Sequence, residues 1–192
     1  MRRDIYISAD IEADGPSPGT HSMLSVGFAV AARHDGTTFF PAVPGETTFY
    51  RELKPISDRF DPAALAVSGL DRDLLTRTGT EPDDAMSAAA EWIASVSEDH
   101  RPVLVAWPLA YDWPFIQWYF LKFGSGTSPF GFSSCLDMKT MFWAQQRTVL
   151  DRAGKDDLPA SLLPASPHTH NALDDAIEQG QIFVSLYERT SV

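Results

Sequence analysis

The first strongly patterned stretch is "DIYISADI" (4–11), where apolar and polar positions alternate and β-forming side chains dominate. A period of two predicts a strand whose side chains divide between two faces. Gly15, Pro16, Pro18 and Gly19 then break the chain into a loop. "MLSVGFAVAA" (23–32) is a nearly continuous apolar run, as expected of a buried strand. "TTFFPAV" and "TTFYRELKP", separated by Pro44 and Gly45, predict a third strand that closes an antiparallel meander.

Helical spacing takes over after residue 60. "FDPAALAVSGL" (60–70) predicts a short helix entered after Asp61, with Pro62 at its first position and Gly69 near its end. "EPDDAMSAAAEWIASVSE" (81–98) predicts a longer amphipathic helix with an acidic first turn. "PVLVAW" (102–107) reads as a buried strand in front of Pro108. "YDWPFIQWYFLKFG" (111–124) has the length of a helix, with Pro114 in its first turn and Gly124 at its end. A Gly/Ser-rich loop (124–134) leads into "CLDMKTMFWAQQ", read as a short strand and another helix. A polar, proline-bearing stretch (151–169) precedes a final helix, 171–188. Strands first and helices after, with no repeat and no linker, predict a single α/β domain over residues 1–192.

Composition adds limits to this outline. The chain is 44% hydrophobic and 11% aromatic, enough for a sizeable core. No run of about 18 apolar residues offers a membrane span. The start, "MRRDIYISADIEADG", turns acidic too early for a secretory leader. A lone cysteine, Cys135, leaves no internal disulfide and is expected to be a small buried side chain. Together these predict a cytoplasmic protein with no membrane partner. The formal net charge of −11 argues against a broad electrostatic grip on duplex nucleic acid. It leaves room for an enzyme that holds a short single strand through bound cations.

Several carboxylates then stand out. "ADIEADG" puts Asp10 and Glu12 two apart at the end of the first strand, so both project from one face. They are either two solvated charges at a fraying end or a pair neutralised by a hard divalent cation. Asp112 is the charged residue set among the aromatics between Arg101 and Lys122. It is either a helix N-cap or a partner for something positive. In the last helix, at about 100° per residue, Ala172, Ala176, Phe183, Leu186 and Tyr187 share one face. Asp174 falls opposite, with Glu178, Gln181 and Ser185, and is expected in solvent. Asp175 falls beside Ile182 and Leu186 at the edge of the buried face, where it needs a partner.

The ordered set resembles the DEDD superfamily of 3′→5′ exonucleases, in its DEDDh branch. The matching residues are Asp10-Ile-Glu12, then Asp112 in "AYDWPF", then His170-Asn-Ala-Leu-Asp174-Asp175 in "HNALDDA". "FDPAALAVSGLDRDLL" also resembles the family's stretch between the third strand and the next helix. Two places depart from the family pattern. Trp107-Pro108 stands where a polar pair often precedes the second Asp, and Ala13-Asp14-Gly15-Pro16 follows the D-x-E. Asp14 is expected to be solvated in its loop.

The resemblance implies a ribonuclease H-like mixed sheet, an antiparallel meander followed by parallel strands, flanked by helices. It also implies two divalent cations, Mg²⁺ or Mn²⁺, held by Asp10, Glu12, Asp112 and Asp175. His170 would be the general base, in preference to His168, which lies outside the family spacing. Met23, Leu24, Trp107, Leu109 and Trp113 adjoin the motifs and are candidates to contact terminal bases. The expected partner is the 3′ end of single-stranded RNA or DNA, RNA being favoured on acidity and size, and the family allows a homodimer. Two other functions remain open: a metal-dependent phosphoesterase on small nucleotides, and a non-catalytic nucleic-acid-binding domain of the same fold.

Overall fold

A computed structural model describes residues 2–164 and 169–189. Among these, six strands form one sheet around β1 (Asp4–Ala13). β2 (Met23–His34) lies antiparallel on one side of it. β5 (Arg101–Ala106) lies parallel on the other, followed by parallel β6 (Cys135–Asp137). The expected third strand is two short ones, β3 (Phe39–Pro41) and β4 (Thr48–Glu52), both paired with β2. Pro41 has no N–H to continue a ladder, and Pro44 and Gly45 turn the chain before pairing resumes.

α1 (Pro62–Ser68) begins at the Asp61 cap, whose side chain accepts the Ala63 N–H, and stops at Gly69, which has φ +65°. The next turn was not anticipated from pattern. α2 (Arg72–Thr78) is capped by Asp71, which accepts the Leu74 N–H at 2.9 Å. α3 (Pro82–Ser97) follows as expected. α4 (Leu109–Phe123) starts earlier than periodicity suggested, so Pro114 lies inside it and Asp112 in its first turn. Its start is fixed by Asp137, which accepts the Leu109 N–H at 2.8 Å and also caps α5 (Met138–Gln146) through Thr140. Three 3₁₀ turns occupy 150–162, and α6 (Ala172–Arg189) closes the described chain. Among the described residues no helix is long and apolar enough to cross a membrane.

β1 is covered on both faces, and its alternation decides what lies where. Odd positions Ile5, Ile7, Ala9 and Ile11 pack with Ala85, Met86 and Ile93 of α3 and with Phe115, Ile116 and Tyr119 of α4. Tyr6, on the even face, packs with Val103, Val105, Phe142, Ile182, Phe183 and Leu186. Asp10 and Glu12 continue that even face, toward α6. Cys135 is half-buried against the first core.

Candidate active site

Asp10 pairs in register with Gly27 of β2, and Glu12 with Ser25. A Cβ on Gly27 would sit 2.2 Å from the carbonyl oxygen of Ala172, so a side chain there would displace the first turn of α6. The glycine therefore lets that turn lie directly across from Asp10. Asn171 caps the helix, its side chain accepting the N–H groups of Leu173 (3.0 Å) and Asp174 (3.3 Å). Asp175 then turns inward and is 2% exposed, whereas Asp174 is exposed. The helical phase separates the two aspartates as periodicity predicted.

Asp112 arrives from the other layer. It is 2% exposed and accepts the backbone N–H of Ile11 at 3.2 Å, between Asp10 and Glu12 in the chain. It is not the cap of α4, because the helix begins three residues before it at Leu109. His170 is exposed, with φ 55° in the left-handed region. Thr169 ties this turn to α6: its N–H donates to Asp175 (3.3 Å) and its hydroxyl to Asp174 (3.1 Å). One ligand atom each of Glu12, His170 and Asp175 lies within 4.8 Å of the others. His168 lies outside the described residues.

The electrostatics follow from crowding. Burial, then Asp112, Asp175 and Glu12 in turn, hold the Asp10 carboxyl well above the usual range, with Lys155 opposing. Burial and Asp175 push Glu12 up to about 7. Burial raises Asp112 too, against the Ile11 N–H and the charge of Lys155. Asp112, Asp175 and Glu12 thus gather around Asp10, and each disfavours its ionisation. A hard divalent cation is the partner such oxygen donors fit.

Comparison with known proteins decides the family. The 3′-5′ DNA exonuclease Cap18 of Escherichia coli is 37% identical over 182 residues, covering 94% of this chain and 90% of the relative. This chain belongs to the DEDDh 3′→5′ exonucleases. It is an exonuclease of that direction. No family model matches the chain. Among solved structures, a 3′-exonuclease described with the 3′ end of histone mRNA stem-loop superposes with a TM-score of 0.70 at 10% identity, over 97% of this chain and 64% of that one. Exonuclease I of E. coli in complex with a dA16 oligonucleotide gives 0.63 at 14% identity, over 97% of this chain and 41% of that one. Both share the ribonuclease H-like mixed sheet predicted from sequence.

Within this exonuclease the candidate base contacts divide. Met23 and Leu24 are 0% exposed, and Trp107 packs on Phe142 with ring centroids 5.9 Å apart. These three are core side chains: β2 is covered on both faces, and Trp107 packs in the second core with Met138 and Phe142 of α5. Leu109 and Trp113 are half-buried and line a surface groove of about 490 Å³ with Pro108, Lys139 and Leu150.

Sequence reasoning erred on Asp14 and Glu178. Asp14 is 0% exposed, paired with Arg72 at 2.9 Å, and accepts the Ser22 N–H. Glu178 was placed in solvent by helical phase, yet it is buried and meets Lys155 at 3.2 Å. The 150–162 turns that cover this side of α6 leave no periodic trace. Thr169 and Gln179 were missed altogether, although Gln179 lies one turn beyond Asp175.

Proposed function

We propose that this exonuclease shortens single-stranded DNA from its 3′ end, with two divalent cations, Mg²⁺ or Mn²⁺, held by Asp10, Glu12, Asp112 and Asp175, and with His170 as general base. The observation that carries the reading is the convergence of those four carboxylates from β1, α4 and α6. Bound there, divalent cations would supply positive charge at the reacting phosphate and acidify the attacking water. His170, exposed beside Glu12 and Asp175, would offer an imidazole nitrogen to accept a proton from the attacking water. Thr169 holds the turn that carries the imidazole, and Asp137 holds the helix start that carries Asp112.

Acidity and size say nothing about the sugar, so the preference for RNA has no structural support. The DNA activity named for the 37% identical relative supports DNA instead. The test incubates the protein and Mn²⁺ or Mg²⁺ with a 5′-labelled single strand as DNA and as RNA. A ladder shortening from the 3′ end, faster on DNA, is expected. Faster loss of RNA would reverse the sugar assignment. Hydrolysis confined to mononucleotide esters would make the protein a small-substrate phosphoesterase, and binding without cleavage under either metal would leave a nucleic-acid-binding domain.

A further inference from the structure

Gln179 lies on α6 one turn past Asp175 and is 0% exposed. A buried side-chain amide must satisfy a donor end and an acceptor end. The backbone N–H of Trp107 can only donate, so the amide atom 2.7 Å from it is the oxygen, Oε1. The nitrogen, Nε2, then necessarily faces Asp10, whose Oδ1 is 2.6 Å away. An amide does not ionise, so this direction is set at every pH. A donor at that distance holds one of the two oxygens of the Asp10 carboxyl in place. Trp107 directly follows β5 and leads into α4, the helix that carries Asp112. One side chain therefore ties α6 both to β1 and to the connection that leads into α4.

We propose that Gln179 is a positioning residue for the exonuclease reaction, its amide anchored on the Trp107 N–H so that the Asp10 carboxylate is held in one orientation. The proposal rests on reading Asp10 as a cation ligand. Residues that orient ligands from behind typically change metal affinity or activity by about 10–100-fold when replaced.

The test compares wild type, Q179M, Q179E and D10N. Mn²⁺ binding is measured directly by electron paramagnetic resonance, and kcat and KM on a 5′-labelled single-stranded DNA. In Q179M, Mn²⁺ affinity and kcat should each fall by about 10–100-fold, with KM within about twofold. Q179E can still accept from the Trp107 N–H, but it donates to Asp10 only while it holds a proton and repels it once ionised, so its Mn²⁺ affinity and kcat should fall below wild type as pH rises from about 6 to about 9. Wild-type Mn²⁺ affinity and kcat in Q179M, or losses confined to KM and melting, overturn the proposal. Should Q179M not fold, wild-type affinity and kcat in Q179E at about pH 9 overturn it equally. D10N that binds Mn²⁺ as wild type does would instead sink the reading of the site. Loss in D10N with none in the Gln179 variants sinks the role of Gln179 alone.

Discussion

The loop after β1 and the site at its end both take carboxylates out of water, and the fold treats them in opposite ways. Asp14 is met inside the protein: Arg72 pairs with it, Ser22 donates its N–H, and Arg72 in turn bonds the Ser57 carbonyl and lies over the Phe60 ring. Asp10, Glu12, Asp112 and Asp175 are set against one another, with Lys155 at the margin already engaged by Glu178. A buried acid with a fixed internal partner is part of the scaffold. A group of acids left in mutual repulsion holds free energy that a bound cation releases. Sequence could not separate the cases, because "ADIEADG" presents three acids within five residues and no mark of which one an arginine 58 residues away will reach.

The sharpest break in this comparison comes from the paired aspartates of α6. Asp175→Asn should lower 3′-end shortening by roughly a thousandfold or more, since one ligand supports several kcal/mol of transition-state stabilisation. Asp174→Asn, which keeps an oxygen to accept the Thr169 hydroxyl at the surface, should stay within about threefold. Equal losses in gel-based rates would defeat the assignment of roles by helix face.

Arg72→Met should do the reverse, costing about 3–5 kcal/mol of stability by stranding Asp14 without its partner. The kcat of the molecules that remain folded should change little. Denaturant melts beside initial rates would show it, and a large kcat loss at unchanged stability would place Asp14 with the working acids. Gly27→Ala is intermediate: pushing α6 off β2 should reduce activity by about tenfold and lower the melting temperature by several degrees.

The smallest effect is one of pH. Glu12 ionises near 4.5 in the unfolded chain and near 7 in the fold. Between those values the folded state retains a proton that the unfolded state has released, so stability falls as pH rises through that window. Metal-free protein should therefore melt a few degrees lower at pH 8 than at pH 5, and millimolar Mn²⁺ should recover the loss at pH 8. Glu12→Gln should flatten the slope. A melting temperature that rises from pH 5 to pH 8 without metal would show that the four acids are neutralised from within.

Much of this protein was determined by its sequence alone. Period-two alternation set Asp10 and Glu12 on one face of β1, and a period of 3.6 turned Asp175 in and Asp174 out. Asp61 and Gly69 bounded α1, and the order of motifs named the family that the 37% identical relative then bore out. Only the tertiary structure decided that Asp14 is neutralised by Arg72, that Glu178 is covered, that Met23 and Trp107 are core, and that Gln179 reaches Asp10 across the sheet. The reason is physical: periodicity reports which way a side chain points from its own element. What waits for it there is brought by segments 23 to 169 residues distant, whose approach depends on close packing at places such as Gly27.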